Sequence, residues 1–178
     1  MTVAWQHPSF LAPASVLPHA ARMKELPQSS SCFACGKDHP TGLGLAFSKH
    51  GELVQCTWVP RGDQAGFNHA VHGGLTATVL DEAMAWACGI LGGRFAYSAE
   101  MTVRYHKLLA PNTVTICQAE IESASSRLLK TRATLTAGDE VVASATGKYF
   151  PIHQFTEAAV RLEFGDGANE ILPYLTMP

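Results

Sequence analysis

Residues 66–91, GFNHAVHGGLTATVLDEAMAWACGIL, constrain this chain more than any other stretch. A Gly/Asn/His turn leads to His72-Gly73-Gly74, and a long apolar run follows, interrupted only by Asp81 and Glu82 among charged residues. Leu75, Val79, Ala83, Trp86 and Ile90 recur along one helical stripe, with Leu80, Met84, Ala87 and Leu91 beside it. A helix that is apolar on nearly every face is an interior helix. The spacing therefore predicts a buried helix over residues 73–89, stopped by Gly89, Gly92 and Gly93. A carboxylate inside such a helix is costly unless something uses it. Asp81 lies seven residues beyond Gly74, so two turns of 3.6 residues bring it back nearly to the face of the Gly74 amide.

The rest of the chain reads as strands. Two precede the helix, over residues 43–47 and 52–59, and four follow it, over 97–106, 113–123, 128–137 and 140–151. The later ones alternate well, with Met101, Val103 and Tyr105 opposite Thr102, Arg104 and His106. Ala137-Gly138-Asp139 is a good hairpin turn. Strands segregated from a single long helix give an α+β class, with an antiparallel sheet curled around that helix. One concave sheet does not cover a helix on all sides, so self-association is expected to hide the remaining face. Residues 1–31, rich in Pro, Ser and Ala, read as a partly ordered arm with at most a short helix over 20–26. Residues 32–152 form the domain, and 153–178 a tail with room for one short helix over 154–163.

Composition narrows the partners. A length of 178 residues, 47% hydrophobic, with mean hydropathy +0.05, suits one globular domain. A net charge of -2 gives no electrostatic reason to expect nucleic acid or an anionic membrane, and Pro and polar residues break every run before membrane-spanning length. The five cysteines are an odd count, and Cys56, Cys88 and Cys117 sit among apolar or β-branched neighbours. That pattern suits reduced thiols in a cytoplasmic protein. A mitochondrial-type leader stays open, because Glu25 is the one acidic residue in 1–31.

HGGLTATVLDEAMAWA resembles the signature of hotdog-fold thioesterases of the PaaI type, which hydrolyse acyl-CoA thioesters. YSAEMTVRYHKLLAP is similar to the strand after the helix in that family, and CFACGKDHPTGLGLAF to the opening of one PaaI-like subset. The resemblance covers about residues 32–150. It implies a hotdog fold, a curved antiparallel sheet wrapped around one long central helix, assembled as a homodimer or a dimer of dimers. It also implies that a backbone amide at the helix start, Gly73, holds the thioester carbonyl, that Asp81, nine positions after His72, acts as base or nucleophile, and that Ser98 positions water from across the subunit interface. His72, Gly74 and Asn68 are the accompanying substrate-binding candidates. Some members carry an Asn six residues before the motif His; here that position is Gly66.

The chemistry agrees with this assignment. A helix N-terminus favours developing negative charge, and Gly lets a substrate approach the backbone closely. Glu82 is ~100° round the helix from Asp81 and reads as structural or interfacial. Nine residues place His72 on the side of the helix away from Asp81, so it is expected to support the loop by hydrogen bonds. Cys32-x-x-Cys35 with His39 nearby is a single pair where a tetrahedral metal needs four ligands; the expectation is packed thiols, no metal and no cofactor. The leading function is acyl-CoA thioester hydrolysis. The alternative is a non-catalytic acyl-CoA-binding or regulatory hotdog protein, and a dehydratase acting on hydroxyacyl thioesters ranks last because it needs a His–acid pair.

Overall fold

The computed structural model describes residues 24–153 and 155–176; the larger part of the expected N-terminal arm lies outside them. Six main strands and one long helix carry the fold: β2 (Phe47–His50), β3 (Leu53–Trp58), α1 (Gly73–Ile90), β4 (Ala96–Tyr105), β5 (Thr115–Ala124), β6 (Leu129–Ala137) and β7 (Glu140–Pro151). A two-residue strand, β1 (Lys24–Glu25), precedes them, and the helices α2 (Glu157–Phe164) and α3 (Ala168–Ile171) follow.

Lys24–Glu25 pairs with Ser48 and Lys49 of β2 where the sequence suggested at most a short helix. The expected first strand over 43–47 is also displaced: pairing starts at Phe47, opposite Cys56, and runs to His50. Residues 43–45 instead bond back to the Cys32 loop, Leu43 N–H to the Phe33 carbonyl and Leu45 N–H to the Ala34 carbonyl. The local apolar pattern is the same in both arrangements, and the partner decides between them.

All pairings are antiparallel, in the order β1-β2-β3-β5-β6-β7-β4. With three antiparallel strands between them, β3 and β4 run parallel, and such strands require a long crossover. That crossover is α1, which packs against β3, β4, β5, β6 and β7. The fold is the hotdog architecture. Val79, Leu80, Ala83 and Met84 of α1 are completely enclosed, together with Val54, Cys117, Leu129 and Leu135 of the sheet. Fully burying a Leu, Val or Met side chain contributes about 1.5–3 kcal/mol, so α1 is held mainly by its own apolar faces. Its C-terminal half is further closed by α2, where Phe164 meets Trp86 at 5.7 Å and Phe47 stacks on the same indole at 5.2 Å.

The helix is not covered all round in a single chain. Gly74 is exposed, and Thr78, Asp81 and Ala85 are half-buried; at i, i+4, i+7 and i+11 they form one stripe. β4 is the sheet edge, and its helix-facing residues Met101, Val103 and Tyr105 stay partly or fully open. Among the described residues no helix is long and apolar enough to cross a membrane.

Candidate active site

The chain approaches α1 through a tied loop. Val71 N–H bonds the Leu109 carbonyl at 2.7 Å, and His72 N–H bonds the Gln64 carbonyl at 3.0 Å. His72 is the N-cap, in an extended conformation, and its Nδ1 accepts the Gly74 N–H at 3.0 Å. The ring therefore supports the helix entry, and it occupies the Gly74 amide. The Gly73 N–H has no acceptor among the described residues, while the Gly73 carbonyl accepts the Tyr105 hydroxyl at 2.8 Å. A cleft of about 320 Å³ opens there, lined by His72, Gly73, Gly74, Tyr105, Lys107 and Leu108 among others. A free amide at a helix N-terminus, facing a cleft, suits a carbonyl oxygen that gains charge. Asn68 sits in a 3-10 turn, Phe67–His69, at the edge of this loop; its side chain lies outside the described atoms.

Asp81 belongs to a second cluster. The buried Tyr149 of β7 donates its hydroxyl to Asp81 Oδ1 at 2.7 Å. Burial, with the nearby Asp81 charge, pushes the Tyr149 phenol well above its usual range, so it stays a donor. Ser98 pairs directly with Tyr149 across the β4–β7 ladder. Directly opposed residues point to the same face, which puts Ser98 on the helix side next to the Tyr149–Asp81 pair. A bulge follows between Ser98 and Glu100, the kind of irregularity that re-aims a strand beside a site.

The two clusters do not meet within one chain. Eight residues of helix separate Gly73 from Asp81, a rise of about 12 Å, whereas a base acts within hydrogen-bond reach of its target. Spacing along the helix axis, which the coincidence of faces concealed, keeps the amide and the carboxylate apart. Tyr149 and Tyr105 were not anticipated, since a Tyr in an alternating strand looks like ordinary core; the only hint is that Tyr149 shares the inward face with Gly147 and Ala145. Removing the hydroxyl in Tyr149→Phe leaves Asp81 without its donor. We expect a stability loss of about 1–3 kcal/mol by denaturant unfolding and a lower kcat for any reaction that Asp81 serves.

Glu82 is not an isolated surface charge. It accepts the Trp86 indole N–H at 3.1 Å and lies 3.5 Å from Cys32 Sγ. Burial, then the negative charge of Cys32, raises its carboxyl to about 7. The Cys32 thiol is drawn down to about 5, chiefly by the hydrogen bond from Cys35, with burial opposing and backbone N–H bonds helping. Cys35 is pushed far upward by the same shared hydrogen bond and by burial. His39 stands apart, packed edge-on against Phe33 at 5.5 Å.

Comparison with known proteins agrees with this architecture. Residues 68–144 match the family model described as thioesterase superfamily. A crystal structure of a thioesterase superfamily protein superposes with a TM-score of 0.63 at 20% identity, over 67% of this chain and 59% of that one, so the chain spans less than two thirds of that protein's length. The E. coli PaaI protein from the phenylacetic acid degradation operon gives 0.58 at 19% identity, over 62% and 80%. A Streptococcus mutans protein solved bound to acetyl-CoA gives 0.57 at 17% identity, over 61% and 88%. No curated protein matches the sequence.

Proposed function

For a hotdog-fold chain whose residues 68–144 match the thioesterase superfamily model, we propose membership of that superfamily and hydrolysis of an acyl-CoA thioester at a site shared between two copies. The observation that carries this reading is the Gly73 N–H, without an acceptor among the described residues, at the edge of a cleft and on the same helix as a Tyr149-held Asp81. The Gly73 amide of one copy holds the thioester carbonyl. Asp81 of the other takes the proton of an attacking water, with Ser98 beside it orienting that water. Hydroxide adds to the carbonyl carbon, the tetrahedral oxyanion rests on the Gly73 N–H, and the C–S bond breaks as the departing sulfur takes the proton back from Asp81. Products are the carboxylic acid and the coenzyme A thiol.

Three features support the shared site. β4 is a ten-residue edge strand, and a bare edge is a template for another strand. A two-fold pairing of β4 with its copy is self-complementary; centred on Thr102, it sets Met101 of one copy opposite Val103 of the other on the helix side, and with the bulge after Ser98 it brings the Ser98 end of one strand beside the Tyr105 end of the other. That register carries each Asp81 end toward the other copy's Gly73 end. It also covers Met101, Val103 and the small-residue stripe of α1, and gives a dimer or a dimer of such dimers.

The test removes the amide. Gly73 is the first helical residue, His72 before it is already extended, and a Cβ at Gly73 comes no closer than 3.4 Å to Tyr105. Pro is accepted at that position; it removes the N–H and sets its ring where the carbonyl would approach. Gly73→Pro should remain folded by circular dichroism and lose about 10²–10³-fold in kcat over a panel of acyl-CoA thioesters. A parent that binds the panel without hydrolysing it would instead be an acyl-CoA-binding protein.

A further inference from the structure

The Cys32 loop and α1 meet at a place that the hydrolytic reading does not use. Cys32 and Cys35 lie on a tight turn, closed by the Gly36 N–H bonding the Cys32 carbonyl at 2.8 Å. A Cβ at Gly36 would come within 2.4 Å of that carbonyl oxygen, so the turn demands glycine. Two backbone N–H groups point at Cys32 Sγ, from Ala34 at 3.3 Å and Cys35 at 3.4 Å. Such donors favour a thiolate over a thiol. Glu82 approaches from α1, 50 residues further along the chain. The two sulfurs and a Glu82 oxygen lie within 4.8 Å of one another.

From this geometry we propose that Cys32, Cys35 and Glu82 form a binding site for a thiophilic divalent cation of the zinc class. Ligand lengths of about 2.3 Å to sulfur and about 2.0 Å to oxygen at the tetrahedral angle put a sulfur and an oxygen about 3.5 Å apart, which is the Cys32–Glu82 separation. Two thiolates and one carboxylate are a donor set for zinc rather than for calcium or magnesium. The Trp86 indole already orients the carboxylate, as a supporting hydrogen bond does around a bound metal. Cys32, Cys35 and Glu82 also line a mostly apolar pocket of about 270 Å³, with Trp86, Phe95, Tyr97 and Phe164 in its wall, which leaves room for water as a fourth ligand. Binding forms two sulfur–metal bonds and one oxygen–metal bond and releases to solvent whatever protons the two sulfurs and the carboxyl still hold, with no change of oxidation state. The cation ties the Cys32 loop to the central helix and offsets two of the three negative charges that burial would otherwise set against one another. The site is independent of the hydrolytic reading, since neither Gly73 nor Asp81 takes part.

The experiment uses the full chain, reduced, stripped with a chelator and titrated with Co²⁺ alone. We expect saturation at one ion per chain, with thiolate-to-cobalt charge-transfer absorption and the intense visible bands of tetrahedral cobalt, displaced by Zn²⁺. Cys32→Ser and Cys35→Ser should each lose charge-transfer intensity. Glu82→Gln, which keeps the side chain's shape, should keep that absorption and bind at least about tenfold more weakly. Asp81→Asn should bind as the parent does. Absence of charge-transfer absorption in the reduced parent overturns the proposal, and so does a Glu82→Gln protein that binds Co²⁺ as tightly as the parent.

Discussion

An Asp81→Asn protein should hydrolyse acyl-CoA thioesters on the order of 10²–10⁴ times more slowly than the parent, the range over which a positioned base contributes. The substitution changes neither shape nor volume, and the Tyr149 hydroxyl can donate to the amide oxygen as it does to Oδ1. Folding should therefore survive, and the loss should fall on kcat, with KM nearly unchanged. A group that acts only as the reaction proceeds leaves substrate binding intact. Steady-state kinetics on one good substrate, alongside equilibrium binding of a non-hydrolysable thioether analogue, separates the two quantities. An unchanged kcat would remove Asp81 from the chemistry and leave Glu82 as the other carboxylate on α1.

Mixing two inactive proteins should restore activity. Gly73→Pro lacks the amide and Asp81→Asn lacks the base, and about 12 Å of helix rise keeps these two groups of one chain from serving one carbonyl. In a shared-site dimer, the mixed species carries one site with both defects and one with neither. Random exchange makes half the dimers mixed, so about a quarter of parental activity returns. A site built within one chain predicts no recovery, because every site would keep its own defect. The measurement is activity after unfolding and co-refolding of equal amounts, with each variant refolded alone as control and the mass in solution checked by light scattering. No recovery in a sample shown to contain mixed dimers would overturn the shared site, and a stable monomer would remove its basis.

The central helix was legible because its signal is local. Apolar residues at helical spacing from Leu75 to Ile90 need no distant partner to mark a buried helix, and the structure places it at Gly73–Ile90. The four later strands were legible for a similar reason, since alternation and the Gly138 turn are both short-range. β2 was misplaced because residues 43–45 have a strand's composition but give their N–H groups to the Cys32 loop. Nothing within five residues encodes that choice.

The candidate site divides in the same way. His72-Gly73-Gly74 and its distance to Asp81 are written in the chain, and so is the chemistry of an amide at a helix start. Which amide stays free was decided in space, when His72 Nδ1 took the Gly74 N–H. Tyr149 reaches Asp81 from 68 residues away, and Cys32 reaches Glu82 across 50. In sequence, Asp81 and Glu82 are adjacent and nearly equivalent. In the fold, the ~100° between them on the helix turns one toward Tyr149 and the uncovered stripe, and the other toward a pair of thiols. The sequence by itself determined a buried helix, its amide-bearing entrance and an antiparallel sheet around it, because each rests on residues a few positions apart. The tertiary structure alone decided what each carboxylate faces, because side chains distant in the chain become neighbours only when the sheet closes over the helix.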